Sequence, residues 1–320
     1  MLMVIAYTLL GLLGLVLIVA LGLRIFSYSV ARKVEAALPP AGELYEVAGG
    51  KIHAVRRGKG RPIVMIHGLA GSLQNFTYTT VGQLEGDYEI IALDRPGCGY
   101  SERENDGHAR IPEQARMIAD FLREQGIEKP LIVGHSLGGA IALTLALNHA
   151  DQIGGLALLA PLTILPERGA AAFNALMIEK PAVRRLVADT LAVPGSIRNG
   201  AKTLAMVFGP DEPPRDFRVR GGGLLGLRPR AFYAASTDFN AVQLDMPALT
   251  ARFAEIRLPI GVLYGDKDRI LNYATNMAAL EDAIPQLDAE TLPGIGHMVQ
   301  IAKPAETEAF IRRMAGKAFA

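Results

Sequence analysis

The residues best equipped for chemistry lie in Gly134-His135-Ser136-Leu137-Gly138-Gly139, a G-x-S-x-G pattern. A serine hydroxyl is a weak nucleophile until a base accepts its proton, and the base in turn needs a carboxylate to fix its tautomer and stabilise the imidazolium. Ser136 therefore calls for a histidine and an acid from elsewhere in the chain. Of the six histidines, His297 follows Gly294-Ile295-Gly296, a glycine-rich loop able to carry an imidazole to the serine. Gly265-Asp266-Lys267-Asp268 offers the acid, with both aspartates open at this point. A tetrahedral oxyanion would need two donors, and the backbone N–H groups of Leu69, after Ile66-His67-Gly68, and of Leu137 are placed to supply them.

These residues need elements to hold them. Short apolar runs bounded by Gly, Pro or Asp recur at Ile63–Ile66, Glu89–Leu93, Leu131–Val133, Leu156–Leu159, Ile260–Tyr264 and Asp288–Leu292, the pattern of parallel strands buried on both faces. Glu43–Val47 and Lys51–Arg57 flank Gly49-Gly50 as a hairpin. Helical stretches at Pro112–Gln125, Leu137–His149, Leu271–Ala283 and Pro304–Met314 alternate with the runs. The layout is α/β with a mostly parallel, eight-stranded sheet flanked by helices. Ser136 then sits on a strand-to-helix turn, where Gly134 and Gly138 let the backbone bend sharply and the helix pack close. From about 162 to 247 no strand signal occurs, and the segment is expected to be a helical insertion over the sheet. Its apolar stretches Ala170–Ile178 and Leu204–Phe208 are candidates to line an acyl pocket, and its Arg215, Arg218, Arg220, Arg228 and Arg230 are expected to be solvated or membrane-proximal.

Composition narrows the partners. With 33 basic against 32 acidic side chains there is no global field to draw in nucleic acid, and one cysteine excludes an internal disulfide or a Cys-based zinc site. No HExxH-type cluster suggests a metal, and no cofactor is expected. Cys98 is read as a small residue in the Pro96–Gly99 turn; His53, His108 and His149 are expected at the surface, and His135 as a structural residue pointing away from the nucleophile. Leu2–Leu23 forms 22 consecutive uncharged residues, about 33 Å as a helix and enough to span a bilayer. The reading is a single-pass N-terminal anchor over 1–24 and a linker over 25–42, with the catalytic body over 43–318. Arg24, Arg32 and Lys33 after the span place that body on the cytoplasmic side.

On four motifs the sequence resembles the α/β-hydrolase superfamily of serine esterases and lipases across residues 43–318. His67-Gly68 is similar to its HG oxyanion motif, Asp94 to Ser101 to its D-x-x-G-x-G-x-S loop, Gly134 to Gly139 to its nucleophile elbow, and Gly265 to Asp268 with His297 to its acid and base loops. The resemblance implies that Asp268, the fourth position of G-x-x-D, is the acid rather than Asp266. It also implies a helical cap over the pocket, and the anchor before such a body is similar to the membrane-bound monoacylglycerol lipases. A serine at 136, where relatives carry aspartate, argues against haloalkane dehalogenase or epoxide hydrolase chemistry. The expected activity is hydrolysis of a carboxylic ester, of lipid or acyl type, by Ser136, His297 and Asp268. The same triad serves carbon–carbon, amide or thioester hydrolysis and acyl transfer, and a catalytically silent membrane interaction protein is the alternative of another class.

Overall fold

The computed structural model describes residues 1–165 and 171–320. Its strands are β1 (Glu43–Val47), β2 (Gly50–Arg57), β3 (Pro62–Ile66), β4 (Glu89–Leu93), the two-residue β5 (Glu102–Arg103), β6 (Leu131–His135), β7 (Gly155–Leu159), β8 (Ile260–Gly265) and β9 (Asp288–Leu292). Eight form one path in the order β1-β2-β4-β3-β6-β7-β8-β9, with β5 paired to β2. β1, β2 and β4 pair antiparallel, and every pair from β4–β3 to β8–β9 is parallel. The apolar runs follow from this: alternate residues of a central strand feed two cores, as Val64 and Ile66 do on one face and Ile63 and Met65 on the other.

The helices are α1 (Leu2–Ala37), α2 (Gln74–Thr77), α3 (Thr80–Leu84), α4 (Ile111–Glu124), α5 (Leu137–Asn148), α6 (Pro181–Val187), α7 (Val193–Phe208), α8 (Phe217–Arg220), α9 (Pro229–Thr250), α10 (Tyr273–Glu281), α11 (Val299–Ala302) and α12 (Pro304–Ala318). Pro112 stands in the first turn of α4, where a missing N–H costs nothing. From Leu137 to Ala146 every residue of α5 is buried, so the helix behind the Ser136 turn is enclosed by protein on all sides. Between β7 and β8 the chain inserts α6 to α9, with no strand among the described residues, and α9 runs three residues past the expected boundary at 247. Residue 170 of the expected stretch Ala170–Ile178 lies outside the described residues. Phe208, from the other stretch, is buried against Phe217, Met298 and Ile301.

One expectation is corrected at the N-terminus. Residues 25–37 are not linker: α1 is continuous to Ala37, and beyond the apolar stretch it docks on the insertion through a stripe of Ser27, Ala31 and Val34. The spacing of four and three keeps these residues on one helix face. Ser27 Oγ donates to the Thr190 carbonyl at 3.2 Å and the Tyr28 hydroxyl to Asp189 at 3.1 Å. α1 is the described helix long and apolar enough to cross a membrane.

Candidate active site

Ser136 occupies the turn between β6 and α5 with φ 54° and ψ −120°, a backbone region that a residue with a side chain enters only where its surroundings enforce it. The enforcement is local. Ser136 N–H donates to the Leu159 carbonyl at 3.0 Å, and its own carbonyl accepts from Gly139 at 2.9 Å and Leu162 at 3.0 Å. A side chain on Gly134 would come within 2.6 Å of the Gly138 carbonyl oxygen, and one on Gly138 within 2.1 Å of the Ile66 carbonyl oxygen. The second contact is what lets the N-terminus of α5 abut the loop after β3.

Asp268 and His297 meet at the ends of β8 and β9. His297 Nδ1 donates to Asp268 Oδ2 at 2.7 Å, while Asp268 Oδ1 accepts from the amides of Ile270 at 2.7 Å and Leu271 at 2.9 Å. Burial alone would raise the Asp268 carboxyl, but the adjoining His297 charge and these hydrogen bonds outweigh it and hold the group below its ordinary value. Asp268, as the acceptor, fixes a His297 ring proton on Nδ1. Asp266 is spent elsewhere, accepting from the Gly294 amide at 2.6 Å. The loop before His297 is clamped from two sides: the Gly296 amide donates to Asp211 of the insertion at 3.0 Å, and Lys267 donates to the Ile295 carbonyl at 2.9 Å.

The loop after β3 reaches Ser136 directly, since a side chain on Gly68 would lie 2.9 Å from Ser136 Cβ. His67 is wholly buried, donating from Nδ1 to the Gly68 carbonyl at 2.8 Å and accepting at Nε2 from the Arg95 amide at 3.0 Å. Burial, with the nearby Arg95 charge, pushes its pKa down to about 4, so the ring is neutral and holds the loop as a fixed donor–acceptor strut. Among the described residues, no hydrogen-bond acceptor is paired with the Leu69 or Leu137 N–H.

Several residues whose roles the sequence did not reveal complete the floor. His135 is not merely turned away: its Nε2 donates to the His297 carbonyl at 3.1 Å and the two rings lie 4.8 Å apart. Burial first and the neighbouring His297 charge second push it down to about 3. His53, expected at the surface, is wholly buried, with Nδ1 donating to Asp94 Oδ2 at 2.7 Å and Nε2 accepting from Gly42 at 3.0 Å. Asp94 also accepts from the amides of Leu73 and Tyr100, which makes it the hub of the loop after β4. Next to it, Arg95 donates to Gln114 at 2.7 Å, to Asp238 of α9 at 2.8 Å and to the Gly68 carbonyl at 3.2 Å. Arg103 donates to the same Asp238. Burial disfavours the Asp238 carboxylate, but the two guanidinium charges more than offset it and lower its pKa.

Two of the insertion arginines expected in solvent are structural. Arg228 is 1 % exposed and donates to the carbonyls of Leu225 at 3.0 Å and Gly99 at 2.7 Å; Arg230 donates to the Ser101 carbonyl at 2.7 Å. A motif search misses them because the Gly99 and Ser101 carbonyls that they bond lie far away in sequence. Cys98 is buried in its turn, and burial pushes the thiol up to about 12, which leaves it protonated and unreactive.

The sequence matches the profile of the alpha/beta hydrolase fold over residues 61–304. It is similar to the dihydrolipoyllysine-residue acetyltransferase component of the acetoin cleaving system of Cupriavidus necator, at 27 % identity over 85 % of this chain and 68 % of that protein. It is also similar to haloalkane dehalogenase 2 of Mycobacterium bovis, at 25 % identity over 83 % of this chain and 92 % of that one. Among solved structures, a membrane phospholipase A described as a bacterial virulence factor superposes with a TM-score of 0.69 at 24 % identity, over 99 % of this chain and 98 % of that one. The sheet order, the turn carrying Ser136 and the profile match agree, and the chain belongs to the α/β-hydrolase fold family.

Proposed function

We propose that this hydrolase-family protein is a membrane-anchored serine hydrolase that cleaves carboxylic esters of lipid or acyl type. Ser136 attacks the carbonyl carbon while His297 Nε2 takes the hydroxyl proton, Asp268 holds the imidazolium, and the Leu69 and Leu137 amides bind the oxyanion. His297 returns the proton to the leaving alcohol, and water then releases the acid by the same route. The observation that carries this reading is the buried Asp268–His297 pair at 2.7 Å, with His297 anchored by its carbonyl to His135, the residue next to Ser136. A serine at 136 supplies no carboxylate for the alkyl-ester route that a dehalogenase would need.

The lipid part of the reading is supported by the apolar stretch of α1 and by the likeness over the full chain to a membrane phospholipase A. The Arg24, Arg32 and Lys33 charges after that stretch favour a cytoplasmic body; protease digestion of sealed inverted vesicles would cleave it, and protection there would reverse the orientation. The activity is tested with a fluorophosphonate probe and p-nitrophenyl esters from acetyl to palmitoyl. Labelling and turnover that are lost together in Ser136→Ala are expected. A folded wild type that neither labels nor turns over would overturn the assignment.

A further inference from the structure

The insertion packs against α1 at a height that a water-soluble cap would not reach. Leu15, Val19 and Leu23 of α1 face Leu186, Val187 and Leu191 across an open apolar groove of about 400 Å³. Leu23 is the last residue before the first charge, Arg24, so Leu15 lies eight residues, about 12 Å, inside the apolar stretch. The contacts change character at that level. On the Arg24 side they include hydrogen bonds, Ser27 to Thr190 and Tyr28 to Asp189; on the other side the facing residues Leu15, Val19, Leu186 and Leu191 are apolar. Keeping the insertion out of hydrocarbon would leave only Leu2–Gly14 to cross the bilayer, about 20 Å of helix against a core of about 30 Å.

The outward side chains agree with immersion. Leu186 and Leu191, which share the groove, are 59 % and 58 % exposed, and Val183 and Ile197 are also exposed, an apolar surface unfavourable in water. Their orientation is fixed from behind, because buried Arg184 of α6 donates to Thr237 of α9 at 2.9 Å and to the Ile178 carbonyl at 2.8 Å. We propose that the Pro181–Ile197 face of the insertion is embedded in the leaflet that α1 crosses, and that a lipid acyl chain fills the groove between Leu15–Leu23 and Leu186–Leu191. The proposal rests on α1 being a membrane span, and the occupant is set by continuity with that span: at this depth the surrounding medium is acyl chain.

The chain contains no tryptophan, so single tryptophans report depth without background. The full-length protein is reconstituted in phosphatidylcholine vesicles whose acyl chains carry bromine, with Leu15→Trp marking the span, Leu191→Trp or Leu186→Trp marking the insertion, and Tyr88→Trp marking the start of β4. Strong quenching of the first two sites, by twofold or more, with the third unaffected is expected. Quenching of Leu15→Trp alone, with Leu191→Trp and Leu186→Trp quenched by aqueous iodide, overturns the proposal while the anchor stands. Quenching at neither site overturns both. Spin-labelled phosphatidylcholine then reads the groove: a motionally restricted lipid component that shrinks in Val19→Trp is expected. Absence of that component, or its replacement by a Leu191→Cys cross-link between two copies, removes the acyl chain as occupant.

Discussion

The floor of the site and the face shared by α1 and the insertion are held by opposite means. At the floor, Ser136, His67, Asp94 and Asp268 sit in a dense mesh of short hydrogen bonds and close backbone approaches. The α1 face is joined mainly by a stripe of small and apolar residues, with three hydrogen bonds at its polar end: Ser27 to Thr190, Tyr28 to Asp189 and Arg228 to Glu35. A mesh of directional bonds fixes atoms in position, whereas apolar packing tolerates volume-conserving change. The two are linked by Asp238, which reaches from α9 to Arg95 and so to the Gly68 carbonyl.

Changes at the floor should therefore cost rate or stability steeply. Ser136→Ala removes the proposed nucleophile and is expected to lower kcat by about 10⁴-fold or more with unfolding unchanged; ester turnover near wild type would show that the mesh serves something other than acyl transfer. Asp268→Asn keeps the shape but allows the wrong imidazole tautomer, and about 10⁴-fold in kcat is expected, with KM little changed.

At the link between the regions, Asp238→Ala strands two buried guanidinium groups, and a loss of about 3–5 kcal/mol is expected in denaturant unfolding in detergent. A loss under 1 kcal/mol would mean that the insertion and the floor are energetically independent.

Acid sensitivity probes the floor gradually, one pH unit at a time. His67 and His135 have folded pKa values near 4 and 3, against about 6.5 unfolded. Below pH 6.5 the unfolded chain binds protons that the folded chain refuses, so stability falls as pH falls, by about 1.4 kcal/mol per pH unit for each ring. The loss runs from about pH 6.5 down to about 4 for His67 and about 3 for His135. His135→Gln should roughly halve the slope measured between pH 6 and 4.5. An unchanged slope would place the acid sensitivity outside the floor.

The central strands were legible because a strand buried on both faces must be a short apolar run, as Glu89–Leu93 is, read at its observed bounds; the edge strand Asp288–Leu292, polar and half exposed, carried a weaker signal. The Ser136 turn was legible because Gly134 and Gly138 face backbone atoms a few residues away or on the adjacent strand. His53 was misread because a histidine in an alternating hairpin strand carries no mark of the carboxylate 41 positions later that buries it. The continuity of α1 was missed because Pro39, Pro40 and charged residues suggested a linker, while the docking stripe gains meaning only from its partner.

By itself, then, the sequence determined what depends on near neighbours: the alternation of strands and helices, the strained turn at Ser136 and a membrane-length apolar stretch. Only the tertiary structure decided which partners distant groups find. It put Asp268 on His297 and Asp266 on Gly294, and it buried Arg228 against the Gly99 carbonyl. It also set the insertion beside Leu15–Leu23. The physical reason is that hydrogen bonding and burial depend on separation in space, which a sequence specifies directly only over a few residues and otherwise through the fold as a whole.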